Sequence, residues 1–101
     1  MDSRELNNAA TLIANANVIA DVAAVTVAWD ADESKLTVVY YVDDVASEAA
    51  RELCELTTTE LIAQFSDIKL AATQCVGAKT AGDLSRLAGV VYVRGLGSIG
   101  L

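Results

Sequence analysis

The chain of 101 residues carries 14 acidic and 7 basic side chains, no histidine and no proline, for a formal net charge of −7. That length holds one modest core, an apolar fraction of 53% excludes a disordered chain, and seven scattered cations exclude a phosphate-binding surface, so no direct nucleic-acid contact is expected. No apolar run approaches the ~20 residues that span a bilayer, and Met1-Asp2-Ser3-Arg4-Glu5 has neither the basic start nor the apolar centre of a signal peptide, so the expectation is a soluble cytoplasmic protein without membrane contact.

Residues 3 to 17 read as a first helix, with Ser3 at its cap and Leu6, Ala9, Ala10, Ile13 and Ala16 at helical spacing. Its other face carries Asn7, Asn8, Asn15 and Asn17, poor helix formers read here as a solvated face. From Val18 to Trp29 the period drops to two, with Ala23, Val25, Val27 and Trp29 on one face of a strand and small, weakly polar residues on the other, which predicts that this second face is also covered. Asp30 to Ser34 makes a turn, and Leu36, Val38, Tyr40 and Val42 alternate along the antiparallel return strand. Asp43, Asp44 or Ser47 then caps a second helix running to Phe65. Its apolar face is read as Ala49, Ala50, Leu53, Cys54, Leu56, Thr57, Leu61 and Phe65, and its outer face as Glu48, Arg51, Glu52, Glu55 and Thr59, with Glu60 at the border and snorkelling outward.

Ile68 to Val76 resumes as a strand, Gly77 to Gly82 is a loop, Asp83 to Leu87 is at most one helical turn, and Val90 to Val93 is a last strand. The predicted order is αββαββ. It describes an α+β two-layer sandwich of about four mostly antiparallel strands with two helices on one face, each helix offering an apolar stripe that a sheet must cover. Residues 1–94 form the single domain, and the glycine-rich stretch 95–101 is expected to be a flexible tail.

No motif in the chain supports catalysis or a cofactor. Gly95-x-Gly97-x-x-Gly100 matches a dinucleotide fingerprint as a string but has no following helix to hold a pyrophosphate. Asp30-x-Asp32-Glu33 opens like a calcium loop, yet the sixth position is Lys35 and the twelfth is Tyr41. Cys54 and Cys75 have neither metal-ligand spacing nor a histidine, and read as buried free thiols. With no histidine to activate a hydroxyl or thiol, a nucleophilic enzyme is not expected.

Charge is the feature that remains. Between Asp30 and Glu60 there are nine carboxylates against two cations, Lys35 and Arg51, a local balance of −7 that equals the charge of the whole chain. Such crowding adds nothing to a fold and is tolerable where a basic partner relieves it.

The runs Ala28-Trp29-Asp30-Ala31-Asp32-Glu33-Ser34-Lys35-Leu36-Thr37-Val38-Val39-Tyr40-Tyr41-Val42-Asp43, Ala46-Ser47-Glu48 with Arg51-Glu52-Leu53, Thr59-Glu60-Leu61-Ile62-Ala63-Gln64-Phe65 and Val91-Tyr92-Val93-Arg94 resemble a group of small bacterial proteins. That group includes immunity proteins of contact-dependent growth inhibition systems. The resemblance implies a protein that binds and neutralises the C-terminal toxin domain of a cognate effector, often a nuclease acting on tRNA. A nuclease has a basic cleft that carboxylates and aromatics can plug. The expected toxin-binding residues are Asp30, Asp32, Glu33, Asp43, Asp44, Glu48, Glu52 and Glu55, with Tyr41 as an anchor, in a 1:1 complex. The alternative is a self-associating adaptor or secretion-chaperone-like homodimer.

Overall fold

The computed structural model describes residues 3–80, 82, 87–94 and 97–98. Helix α1, Ser3–Ala16, buries Leu6, Ala10, Ile13 and Ala14 on one side. Its asparagine face divides. Asn7 and Asn8 are exposed, while Asn15 donates to the carbonyl of Val91 at 3.3 Å and Asn17, just past the helix, is buried.

Strand β1 spans Val22–Asp30 and starts four residues later than its alternation suggested, because Val22 N–H bonds to Ile19 C=O at 2.9 Å and closes a turn over the intervening residues. It pairs antiparallel with β2, Lys35–Val42, in a register that sets Val25 opposite Tyr40, Val27 opposite Val38 and Trp29 opposite Leu36. These residues share the core-facing side. Every second residue of β2 is buried, whereas six consecutive residues of β1, Val22–Val27, are buried, so β1 is covered on both faces as its small second face predicted.

Helix α2, Glu48–Gln64, begins at Ser47, whose hydroxyl accepts from Ala50 N–H at 3.2 Å. Asp44 serves the preceding turn instead, accepting from Ala46 N–H. After α2 the chain enters β3, Leu70–Gly77, which lies parallel to β2 over eight paired residues. A 3-10 turn, Ala78–Thr80, follows in the expected loop. Strand β4, Val90–Val93, returns antiparallel to the far side of β1, and the two-residue β5, Gly97–Ser98, pairs with β4. The sheet order is β3-β2-β1-β4-β5. The helical turn expected over Asp83–Leu87 lies outside the described residues except for Leu87, and the expected tail lies outside them except for Gly97 and Ser98.

The architecture is the expected α+β fold with its helices on one face of a mostly antiparallel sheet. Helix α1 packs on β1 and β4 and α2 on β2 and β3, and the two helices touch. Between the layers lie Leu6, Ile13, Val25, Val27, Leu36, Val38, Leu61 and Val91. One polar network crosses this core. Tyr40, fully buried, bonds through its hydroxyl to Asn17 C=O at 3.0 Å and to the Thr57 hydroxyl at 2.5 Å. Asn17 in turn donates to Thr57 and Glu60 at 3.4 Å. Glu60 is therefore half-buried with a partner and does not snorkel outward. Burial pushes the Tyr40 phenol far above its ordinary range, so it acts as a neutral hydroxyl joining α1, β2 and α2.

At the start of β4, Gly89 has a φ of 71° and its carbonyl accepts from Val27 N–H at 3.0 Å. A Cβ there would sit 2.1 Å from the Val27 carbonyl oxygen, so both the backbone conformation and the close approach require glycine.

Candidate functional site

The eight carboxylates singled out by charge fall in three places. Asp30, Asp32 and Glu33 occupy the β1–β2 hairpin tip, all exposed. There Asp30 Oδ1 accepts from the amides of Asp32 at 3.0 Å and Glu33 at 3.3 Å, an Asx turn that shapes the tip. Asp30 also sits opposite Lys35 in the ladder. Asp43 and Asp44 lie at the other end of β2, and an eight-residue strand separates the two groups by about 25 Å.

Asp43 is held by Arg94, whose guanidinium donates to both carboxylate oxygens at 2.7 and 3.1 Å and also to Ala20 C=O at 2.7 Å. Those hydrogen bonds hold the Asp43 carboxyl below its ordinary range. Most of its charge is thus met inside the molecule.

Glu48, Glu52 and Glu55 form the third group, an exposed ridge along the first half of α2. Glu48 stands in the first turn, where a carboxylate suits the helix dipole. Glu52 and Glu55 have no such task, and among the described residues no ion pair is made by either. The one cation of the ridge, Arg51, turns back and donates to Val45 C=O at 3.2 Å. Tyr41 is half-exposed and alternates with Tyr40, so it faces away from the helices. The fold does not place it with the α2 ridge.

One residue of this surface, Leu56, was assigned to the core by periodicity. Leu56 and its neighbour on the helix surface, Ile62, are 45% and 42% exposed. The buried stripe of α2 is narrow, Ala50, Cys54, Thr57, Thr58 and Leu61, and only one of these is large. Small residues at the contact seat the helix close to the sheet and turn Leu56 outward beside the carboxylates. The signal was available in the spacing, since 50, 54, 57 and 61 alone satisfy one helical stripe. Ala49, also assigned to the core, is exposed.

Between α2 and β3 runs a shallow cleft lined by Arg51, Cys54, Glu55, Thr73, Gln74 and Cys75. Cys54 is buried as expected, its Sγ 3.7 Å from the Gln74 carbonyl oxygen, and burial pushes its thiol up to about 12. Cys75 is half-exposed rather than buried, and desolvation again raises its pKa. Two protonated thiols are poor nucleophiles. Among the described residues no cluster of three or more His, Cys, Asp or Glu is placed to hold a metal ion, and no helix is long and apolar enough to cross a membrane.

The arrangement is thus one of recognition. It presents an acidic ridge, without an ion pair on Glu52 or Glu55 among the described residues, flanked by exposed apolar side chains on a helix whose opposite side is fixed by a buried polar network. None of the curated proteins matches the chain. The family model of the MafI2 immunity protein does, over residues 14–95, from the last turn of α1 through β4 and so across both sides of the α2 surface. The chain belongs to the MafI2 immunity protein family and is a toxin-neutralising immunity protein of a polymorphic toxin system.

Proposed function

We infer that neutralisation works through the outward face of α2. Glu48, Glu52 and Glu55 meet a basic groove of the toxin, and Leu56 and Ile62 fill apolar hollows beside it. The observation that carries this reading is that Glu52 and Glu55 make no ion pair among the described residues, while Glu48 and Glu52 stand four residues apart on one helix. Like charges at that spacing cost the isolated helix about 0.2–0.5 kcal/mol. A basic groove is the mark of an enzyme that handles a polyanion, so the toxin is a nuclease, tRNA-cleaving or otherwise, bound 1:1. Asp43 and Asp44 extend the field at one end of α2. Asp30, Asp32 and Glu33 do so at the other, where Lys69 and Leu70 N–H bond to Ser34 C=O and bring the hairpin tip to the chain leaving the helix. Tyr41 lies outside this contact.

The test uses a catalytically inactive C-terminal domain of the cognate toxin. Light scattering should give a 1:1 mass, and stopped-flow association should slow as salt is raised. The double variant Glu52→Lys with Glu55→Lys should slow association by about 10-fold or more at low salt. Unchanged association would remove the ridge from the interface.

A further inference from the structure

We propose that β3 is the docking edge for an extended strand of the toxin, which joins this sheet as an added strand beside the α2 ridge. This rests on the reading that the ridge faces the toxin, and it names the second half of the interface.

The two margins of the sheet differ sharply. One ends in β5, two residues long. The other ends in β3, eight residues long, whose ladder with β2 runs without a register shift. Natural edges of this length are blunted by charge, proline or a bulge. Leu70-Ala71-Ala72-Thr73-Gln74-Cys75-Val76-Gly77 has no charged residue, no proline and no irregularity. Leu70 is 54% exposed, and Thr73 and Gln74 are exposed as well.

The direction of the free groups follows from the ladder. Leu70 N–H bonds inward to Ser34 C=O at 3.1 Å. Backbone groups of successive residues point to alternate sides of a strand, so the amides and carbonyls of Ala71, Thr73 and Cys75 point outward along the margin. A row of donors and acceptors at that spacing selects one kind of occupant, an extended backbone.

Continuity with the ridge selects the toxin over a second copy. Arg51 and Glu55 of α2 line the same cleft as Thr73, Gln74 and Cys75, so a partner lying on the ridge already reaches the edge. Two copies joined edge to edge in antiparallel fashion would place their helices on the same face of one continuous sheet. Their ridges of Glu48, Glu52 and Glu55 would then lie side by side, adding repulsion where a basic toxin adds attraction.

The test is amide hydrogen exchange read residue by residue by NMR, on the free protein and with the inactive toxin domain at saturation. In the free protein Ala71, Thr73 and Cys75 should exchange fast and Ala72, Gln74 and Val76 slowly. In the complex the three fast amides should slow by at least about 100-fold. Toxin binding with those amides still fast overturns the edge proposal and leaves the ridge reading standing. No binding of the toxin domain overturns both. Protection already present in the free protein, deepening with its concentration, overturns the proposal in favour of a homodimer. As an independent arm, Thr73→Pro removes an outward donor without touching the β2 ladder. It should keep the circular dichroism spectrum and weaken toxin binding by about 10-fold or more, and unchanged affinity of the folded variant overturns the proposal. Thr73→Lys, the charge that natural edges use, serves the same purpose if the proline variant fails to fold.

Discussion

The hairpin tip and the ridge of α2 hold the same kind of side chain under different obligations. At the tip, Asp30 shapes the turn through the amides of Asp32 and Glu33 and faces Lys35 across the ladder. On the ridge, Glu52 and Glu55 cap no helix and shape no turn, and they stand where the helix would be at least as stable without them. Removing the Asp30 carboxylate should therefore damage the fold, whereas removing one from the ridge should damage only recognition. Density of charge along the chain does not separate these cases; the hydrogen bonds do.

The sharpest way to break this contrast is to reverse charge at each place and compare rates. Asp32→Lys with Glu33→Lys should slow toxin association by about 2- to 3-fold, against about 10-fold or more for Glu52→Lys with Glu55→Lys, because the tip contributes only at long range. Equal effects in stopped flow would make the acidity a general steering field. Next in size is Tyr40→Phe, which leaves Asn17 C=O and the Thr57 hydroxyl short of a buried partner. It should cost about 1–3 kcal/mol in urea unfolding with no change in toxin affinity of the folded protein. A smaller loss, about 0.5–1.5 kcal/mol, is expected for Asp30→Ala. Glu52→Gln should cost nothing measurable by the same assay, and a loss there as large as at Asp30 would end the distinction.

The smallest effect concerns pH. An unfolded cysteine ionises near ~8.5, while burial holds the Cys54 thiol at about 12. Between these values the unfolded chain releases a proton that the folded chain keeps, so stability is intact below pH ~8.5 and falls as pH rises toward 12. Urea midpoints measured from pH 7 to 10 should decline, and the decline should be shallower in Cys54→Ala. An identical slope in that variant would assign it to Cys75 or Tyr40, whose pKa values are also raised.

Much of the fold was legible because its strongest signals are local. The alternation from Leu36 to Val42 and the hydroxyl of Ser47 ahead of a helical run mark β2 and α2 without reference to anything distant. What was not legible depends on tertiary neighbours. Strand β3 was expected as a strand, but half of its eight residues are exposed and the rest half-buried because it is an edge, and its parallel pairing, which no local signal announces, is set by where α2 delivers the chain. Glu60 goes inward because Asn17 and Thr57 are there to meet it. The candidate site was readable as a charge imbalance but not as a shape. Asp30 and Asp43 lie close in sequence, yet the eight residues of β2 set them at opposite ends of that strand, and Tyr41 next to a core tyrosine must face the other way.

The place of β4 in the sheet has a consequence for synthesis. Strand β1 is flanked by β2, made directly after it, and by β4, made only after α2 and β3 are complete. Chains emerge at roughly 5–20 residues per second, and for that interval the second side of β1 has no partner. Arg94 N–H bonding to Ala23 C=O, and its guanidinium gripping Asp43 and Ala20, then fasten the second side of β1. A chain cut short of Val90 should therefore leave one side of β1 unpaired and Asp43 without its Arg94 partner, and lose protection as a whole rather than by degrees.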